Sequence, residues 1–280
     1  MAMGEVDHET EVLVIGAGPG GYAAAFRAAD LGMEVTLIDA EKRPGGECLF
    51  RGCIPSKTLL YLAELLHDAR RSGDMGVKFS EPQIDLEKIR AWKGQVIDKL
   101  ANGLVTLCKR RRVQLLQGRA IFEGSGRVRL LDSEVNQIRF RHAILATGSY
   151  STSFHGIPFK KGGRIMDSAG ALELADIPRS LLILGGGYIA MEVGTIYAAL
   201  GSRVTIAVRG DRLLRGADKD LSDVLILRLR EIFQAIHFNS HAASLKEGDE
   251  GVEVKWEGEV DKAEQTFDRV LVAIGRKPNT

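Results

Sequence analysis

An internal repeat constrains this sequence more than any other feature. EVLVIGAGPGGYAAAFRAADLGMEVTLID (residues 11–39) joins an apolar run, a glycine-rich turn, an alanine-rich stretch and a second apolar run. SLLILGGGYIAMEVGTIYAALGSRVTIAV (residues 180–208) repeats that order. Each copy predicts a strand, a helix that begins at the turn, and a second strand. Because 280 residues exceed the usual size of one core, the repeat predicts two domains of the α/β class.

The glycines of the first turn match a dinucleotide-binding pattern. Gly16, Gly18 and Gly21 form Gly-x-Gly-x-x-Gly, in which small residues let a pyrophosphate approach backbone N–H groups at a helix N-terminus. Asp39 follows Gly16 by 23 residues, at the end of the second strand, where a carboxylate accepts hydrogen bonds from ribose hydroxyls. Glycines at a helix start also arise from close packing alone, but the flanking strands and the spaced acid favour a dinucleotide.

The second turn carries the same pattern in its Gly/Ala form. Gly185 and Gly187 occupy the first two positions, Tyr188 follows them, and Ala190 takes the third position. Two such units in one chain indicate two different dinucleotides, as when electrons pass from one to the other. The repeat therefore favours an oxidoreductase built from two Rossmann-like, three-layer dinucleotide-binding domains.

Composition and charge exclude several other classes. The net charge is +1, which gives no support to nucleic-acid or anionic-membrane binding, and the basic cluster 109–112 is typical of a solvated helix C-terminus. The N-terminal residues MAMGEVDHET are polar, and no run approaches 18 apolar residues. We therefore expect a cytoplasmic protein with neither nucleic acid nor membrane as a partner.

The rest of the chain reads as alternating helices and short strands. The patterns predict helices over 56–71, 85–112 and 218–234, further short strands through 256, and a domain boundary near 150, where the turn-rich segment 149–163 begins. Short strands are predicted over 113–118, 120–122, 127–131, 137–140 and 143–146.

Two of the three cysteines lie five residues apart in GGECLFRGCIPSK (residues 45–57), and the third, Cys108, lies inside a predicted helix. Three cysteines in a reducing compartment do not form a structural disulfide framework. Zinc is not expected, because Cys48 and Cys53 have no second pair of ligands at suitable spacing. Spacing alone leaves two interpretations open, a redox-active or sensing pair and a coincidence of two buried thiols.

Five motifs together resemble one family, the FAD-dependent pyridine nucleotide-disulfide oxidoreductases. They are GAGPGGYAAAFRAADLG, GGECLFRGCIPSK, ATGS, GGGYIAMEVGTIYAALGS and AIGRKPNT, in that order along nearly the whole chain. Within the family, CxxxxCIPSK, YAALGS and GADKDL are most similar to the dihydrolipoamide dehydrogenase branch. The resemblance implies FAD in the first domain, NAD(P) in the second, and cofactor contacts that include Gly46, Thr147, Gly148 and Gly275.

The resemblance also implies roles for the cysteine motif. Cys48 and Cys53 match the family's redox-active disulfide, with Cys53 facing the flavin and Cys48 exchanging with substrate. Lys57 matches a lysine near flavin N5, and Glu192 matches its partner; the alternative is an ordinary exposed charge pair. Glu47 departs from the small residue usual at its position, and it raises the pKa of the thiols if it points inward.

The end of the sequence also departs from the family pattern. Family members continue after AIGRKPNT into a Gly-Asp segment that completes the FAD site and into an interface domain whose His-Glu pair serves as acid-base catalyst across a homodimer. None of the six histidines lies in that motif, so we assign no catalytic base. The resemblance implies that the sequence is a fragment or the product of a truncated gene, and that full-length members are homodimers.

A third departure concerns the nicotinamide nucleotide. Val208 stands 23 residues after Gly185, where the first unit has Asp39 and NAD-dependent relatives carry an acid. Arg209 and Arg215 follow, an arrangement similar to the NADPH-binding arginines of glutathione reductase. A guanidinium can hold a 2′-phosphate that a carboxylate would repel. The sequence therefore predicts NADP(H) in preference to NAD(H), the alternative being that both arginines are solvated loop charges.

These inferences combine into one expectation. Residues 1–150 would form an FAD domain, 151–271 an inserted NAD(P) domain, and 272–280 the start of the return to the FAD domain. The expected reaction is hydride exchange between NAD(P)(H) and FAD, coupled to the Cys48–Cys53 disulfide and to a small-molecule or protein-bound dithiol of the lipoamide type. The alternatives are a glutathione- or mercuric-reductase-type NADPH enzyme, and a non-catalytic nucleotide-binding remnant that serves as a sensor or interaction module.

Overall fold

The computed structural model describes residues 7–260 and 262–280. Residues 1–6, part of the predicted first domain and of the polar N-terminal stretch, and Asp261 lie outside the described residues. In chain order the elements are β1 (Asp7–Ile15), α1 (Pro19–Asp30), β2 (Val35–Asp39), α2 (Gly46–Arg51), α3 (Cys53–Arg71), a 3₁₀ turn (Ser72–Met75), α4 (Leu86–Arg110), β3 (Gln114–Gln117), β4 (Arg119–Gly124), β5 (Arg127–Leu131), β6 (Gln137–Leu145), β7 (Ser149–Ser151), β8 (Ile165–Met166), α5 (Ser168–Glu173), β9 (Ser180–Leu184), α6 (Tyr188–Ala199), β10 (Arg203–Ala207), α7 (Lys219–Ile232), β11 (Ala235–His237), β12 (Ser240–Glu247), β13 (Val252–Gly258), β14 (Glu264–Phe267), β15 (Arg269–Val272) and β16 (Arg276–Pro278).

The chain forms two compact units whose bounds differ from the predicted domains. Of the described residues, the first unit contains 7–54, 94–150 and 278–280, and the second contains 55–93, 151–260 and 262–277. The sequence interpretation had assigned all of 1–150 to the first domain. Segment 55–93 groups with the second unit because the apolar stripe of α3, which includes Leu59 and Leu66, packs into the core of that unit, as does Ile89 of α4.

The first unit is built on a six-stranded sheet in the order β3-β2-β1-β6-β5-β4. Strands β3, β2, β1 and β6 are parallel, and β4 and β5 add an antiparallel edge. Consecutive apolar residues of β1 supply both faces: Val12 and Val14 pack in the cluster that holds the apolar side of α1, whereas Leu13 packs with Val128 and Ile138. Burial on both faces explains why a parallel strand reads as a continuous apolar run.

The second unit has three layers. Its central sheet, in the order β11-β10-β9-β15-β8, is parallel throughout, and a three-stranded antiparallel sheet, β12-β13-β14, covers one face. Leu181 and Ile183 of β9 pack in the core that includes α5 and α6, while Leu182 and Leu184 pack with the antiparallel sheet. These arrangements confirm the predicted α/β class with two Rossmann-like units.

Two local features differ from the sequence interpretation. The runs 137–140 and 143–146 form one strand, β6, which pairs with β5 only through its first residues and with β1 along nearly its whole length. Ile144 and Leu145, at its far end, are 38% and 63% exposed. In addition, α3 begins at Cys53 rather than at residue 56, and a further short helix, α2, precedes it.

Among residues 7–260 and 262–280, no helix combines the length and the apolar character that crossing a membrane requires.

Candidate functional site

The first glycine turn joins β1 to α1 with little free space. Gly16 has φ +100°, and a Cβ there would lie 2.1 Å from the carbonyl oxygen of Ala146. A Cβ on Gly21 would lie 1.7 Å from the carbonyl oxygen of Gly16. Gly18 is the N-cap of α1, so no N-cap side chain competes for the first N–H groups of the helix. The protein's own packing therefore requires Gly16 and Gly21, and the turn leaves its helix end available to an anion.

The cysteine segment begins directly against this turn. Gly46 has φ +59°, and a Cβ there would lie 2.6 Å from Gly18 Cα, while Gly45 donates its backbone N–H to the Ala17 carbonyl at 2.8 Å. Asp39 accepts hydrogen bonds from the backbone N–H groups of Ala17 at 2.6 Å and Glu41 at 2.8 Å. The carboxylate thus stands at the turn, as its spacing predicted, and its contact with ribose hydroxyls stays a prediction.

The Ala146-Thr147-Gly148 segment is held by the last residues of the chain. Asn279 donates its side-chain amide to the Thr147 carbonyl at 2.8 Å and its backbone N–H to the Gly148 carbonyl at 3.0 Å. The Thr147 hydroxyl donates to the Asn279 carbonyl at 2.7 Å. Gly148 has φ +76°, which favours glycine. Sequence reasoning identified Thr147 and Gly148 but missed Asn279, because nothing in the sequence pattern links residues so far apart.

The two cysteines flank a sharp bend between short helix α2 and long helix α3. Cys48 lies within α2 and is half-buried, and Cys53, the first residue of α3, is exposed. Burial raises the pKa of the Tyr22 phenol, and negative charge on nearby Cys48 and Cys53 raises it further. The structure therefore brings both cysteines near the first turn of α1, where Tyr22 lies.

Glu47, which departs from the family pattern, is engaged by a cation. Its carboxylate accepts a hydrogen bond from Arg51 Nε at 2.9 Å, and Arg51 Nη1 donates to Glu41 at 3.0 Å. The hydrogen bond that Arg51 donates to Glu47 is the main cause of a raised pKa for the Arg51 guanidinium. A paired carboxylate disfavours a neighbouring thiolate less than an isolated one does.

The Lys57 ammonium lies 2.6 Å from the Glu192 carboxylate, across 135 residues of sequence. Both residues belong to the second unit. The lysine side chain is 58% exposed and the glutamate 23% exposed. Because an exposed pair contributes little stability, this contact orients the ammonium more than it stabilises the fold.

The second glycine turn forms one wall of a cavity of about 490 Å³. Gly185 has φ +127°, and a Cβ there would lie 2.1 Å from the Ala273 carbonyl oxygen, whereas a Cβ on Gly187 would meet no atom within 4 Å. Gly187 is the N-cap of α6. Tyr188, the first residue of α6, is 63% exposed, and Ala190 is buried in the core. Gly275 also lines this cavity.

Arginines form the polar rim of this cavity. Arg209, Arg212 and Arg215 all line it. A Cβ on Gly210 would lie 2.2 Å from Arg215 Nη2, so the guanidinium of Arg215 lies directly over a glycine. Val208 is buried and also lines the cavity. Sequence reasoning identified the outer two arginines; the three-residue spacing 209, 212, 215 was the signal that could have found Arg212.

The residues present fit a dinucleotide. The cavity volume lies in the range of small-molecule sites, and its lining combines apolar side chains with a few polar groups. The bare backbone at Gly187 faces open space, as close approach of a pyrophosphate requires. The described part of the chain contains no cluster of three or more His, Cys, Asp or Glu side chains that could hold a metal ion.

A model of the pyridine nucleotide-disulphide oxidoreductases matches residues 10–280. The chain belongs to this family. Among curated proteins, dihydrolipoyl dehydrogenase of Buchnera aphidicola is 43% identical over 276 residues, which cover 97% of this chain and 57% of that protein. Dihydrolipoyl dehydrogenase of Geobacillus stearothermophilus is 40% identical over 281 residues, with coverage of 100% and 59%. The chain thus spans less than two thirds of the length of these relatives.

Solved structures of family members have the same architecture. LpdA of Mycobacterium tuberculosis matches with a TM-score of 0.85 at 26% identity, covering 97% of this chain and 60% of that one. The HOCl-induced flavoprotein disulfide reductase RclA of Escherichia coli matches with a TM-score of 0.77 at 29% identity, with coverage of 96% and 57%. These matches confirm the family resemblance that the five motifs predicted.

Proposed function

We propose that this chain carries the FAD-binding and nicotinamide-binding units of a flavoprotein disulfide oxidoreductase. Its reaction would be hydride exchange between NAD(P)(H) and FAD, coupled to Cys48 and Cys53 and to a dithiol/disulfide substrate, most simply dihydrolipoamide. One observation carries the proposal: two glycine turns of the same backbone geometry occur in one chain with a cysteine pair at the bend before α3. The names of the most similar relatives support the lipoamide class.

The first turn supplies the residues that would hold FAD. The uncapped start of α1 would receive its pyrophosphate, and Asp39 would accept hydrogen bonds from its ribose. FAD, when bound, supplies a two-electron acceptor for hydride. Thr147 and Gly148 are hydrogen-bonded to Asn279 and would provide a fixed backbone beside the FAD. The ion pair with Glu192 would hold the Lys57 ammonium in place.

The thiols would carry out the exchange with substrate. In one direction a thiolate of the substrate dithiol attacks Cys48 of the Cys48–Cys53 disulfide, which forms a mixed disulfide and releases Cys53 as a thiolate. The second substrate thiol then displaces Cys48, so the substrate gains its disulfide and the protein gains two thiols. Two electrons and two protons pass from substrate to protein in this exchange. The acid-base group that moves the protons is not assigned to any histidine of this chain.

We further propose that the second unit prefers NADP(H). The second unit has the buried Val208 where the first unit has the carboxylate of Asp39. Three arginines also line the cavity. This arrangement is also the observation that favours the second candidate, an NADPH-dependent reductase of the glutathione or mercuric type. Homodimer formation in the complete family member and a cytoplasmic location remain part of the proposal, with the same motif resemblance as their support.

Alkylation of the thiols tests the flavin and cysteine roles together. Cys53 is the more exposed of the two in the structure, so the chain without flavin should react first at Cys53. If Cys53 faces the flavin, saturating FAD should slow its alkylation by iodoacetamide about tenfold or more, because a stacked ring excludes the reagent. Cys48 should stay reactive. Site-resolved mass spectrometry measures both rates.

Buried Cys108 provides the control, because its reaction rate reports unfolding rather than cofactor binding. Equal protection of Cys48 and Cys53 by FAD would contradict the assigned roles. A failure of FAD to bind or to protect either thiol would instead favour the non-catalytic alternative.

A further inference from the structure

A histidine lines the wall of the nucleotide cavity on an element that sequence reasoning did not connect with it. His241 belongs to β12, in the antiparallel sheet, yet it lines the same cavity as Arg209, Arg212 and Arg215. No motif singled it out, because 26 residues separate it from the nearest of these arginines. Its place on the cavity wall is a result of sheet packing.

Backbone hydrogen bonds fix the start of β12 against the arginine segment. The Asn239 N–H donates to the Gly210 carbonyl at 2.9 Å, and the Ser240 N–H donates to the Val208 carbonyl at 3.0 Å. The two acceptors are the residues on either side of Arg209, and both donors lie at the start of β12. His241 is the next residue of β12, so its backbone is held beside the segment that carries the arginines.

The imidazole is oriented by a carboxylate. His241 Nε2 lies 3.1 Å from Glu257 Oε2, and the two residues are directly paired across β12 and β13. The side chain of His241 is 38% exposed, and the residue lines the cavity. A histidine ring held through one nitrogen presents the rest of the ring in a defined direction.

We propose that His241 is a further specificity-determining residue, whose imidazole contacts the 2′-phosphate of NADP(H) together with the arginine rim. This inference rests on the proposed preference for NADP(H). An anion with up to two negative charges between His241 and Arg209 would compete with Glu257 for the imidazole. Such a contact would discriminate NADP(H) from NAD(H), because NAD(H) has only a hydroxyl at that position.

The test compares 2′,5′-ADP with 5′-ADP as probes of the full chain, by calorimetric titration. The expected result is that His241→Gln weakens 2′,5′-ADP binding about tenfold, as for a hydrogen bond to a charged group. Binding of 5′-ADP should not change.

His237→Gln is the matched control, since His237 lies on the adjacent strand β11 with its ring near Trp256. It should leave the ratio of the two affinities unchanged. If the unsubstituted chain prefers 2′,5′-ADP and His241→Gln keeps that preference in full, the inference about His241 is wrong while the NADP(H) proposal stands. If the unsubstituted chain binds both probes equally, the NADP(H) proposal itself fails, and the inference with it.

Discussion

The two glycine turns have the same backbone but differ in the chemistry at the end of the second strand. Gly16 and Gly185 both have positive φ, and each packs so closely on a carbonyl, of Ala146 and Ala273 respectively, that a Cβ would lie 2.1 Å from its oxygen. Each also donates its N–H to the following strand, to Ile38 at 2.8 Å and to Ala207 at 2.9 Å. The backbone frame of the turn is therefore common to both units.

The difference begins at the next residues. In the first unit Asp39 holds the Ala17 N–H, and Gly45 returns to the Ala17 carbonyl. In the second unit Val208 is buried, and Leu214 returns to the Gly186 carbonyl at 2.8 Å, the equivalent place. The first position of the segment between strand and return is a carboxylate, Asp39, in one unit and the apolar Val208 in the other, where Arg209 follows directly. Under the proposed function, the shared turn would bind the pyrophosphate in both units, and the segment after the second strand would select the sugar substituent.

The largest effect on stability is expected from substitutions that disturb the backbone geometry shared by the two turns. Gly16→Ala and Gly185→Ala should each lower the free energy of unfolding by about 3 kcal/mol or more, because the new Cβ meets a backbone carbonyl at a strained φ. Gly187→Ala should cost less than about 1 kcal/mol, since its Cβ meets open space. Urea unfolding followed by circular dichroism measures all three. A large loss in only one of the first two variants would show that the turns are not equivalent.

The next largest effect is expected from removing the arginines that distinguish the second unit. Arg209→Ala with Arg215→Ala should weaken 2′,5′-ADP binding about a hundredfold, because two charge-assisted contacts are lost. The affinity for 5′-ADP should stay within about twofold. Arg203→Ala, at the exposed start of β10, is the matched control. Equal losses for both probes would assign the arginines to the shared part of the nucleotide and refute their role in selection.

The smallest effect concerns acid sensitivity of the second unit. Burial is the first cause of a lowered pKa for His67, and the Arg228 guanidinium, whose Nη2 lies 2.6 Å from the imidazole Nε2, adds to it. As the pH falls through about 6.5, the unfolded chain takes up a proton that the native histidine resists, so stability decreases. His67→Gln should lessen the drop in urea midpoint between pH 7.5 and pH 5.5. An unchanged drop would exclude His67 as its cause.

The sequence predicted the parts of the fold that depend on local pattern. Continuous apolar runs such as Leu181–Leu184 indicated strands buried on both faces, and the glycines indicated where each helix begins. Placement of α3 could not be predicted in the same way. Its apolar stripe is compatible with any neighbouring core, and only packing of Leu59 and Leu66 assigns it to the second unit.

The candidate site also contains residues that the local sequence pattern predicts and residues that only the packing reveals. Asp39 and the turn glycines were identifiable because their spacing within a short segment carries the information. Cys48 and Cys53 needed the family resemblance as well, since their spacing alone left two interpretations open. Asn279 and His241 were missed because each reaches the site through pairing with a remote strand or turn. Arg212 is an intermediate case, since its spacing from Arg209 was visible but its direction was not.

We expect the uneven pairing of β6 to matter in concentrated solution. Beyond Phe140 the strand pairs with β1 on one side, and among the described residues no strand pairs with its other side there. Ile144 and Leu145 on that stretch are exposed, and an apolar strand edge without a partner strand favours addition of another extended segment. We therefore expect other extended segments to compete for this edge when the protein refolds from denaturant.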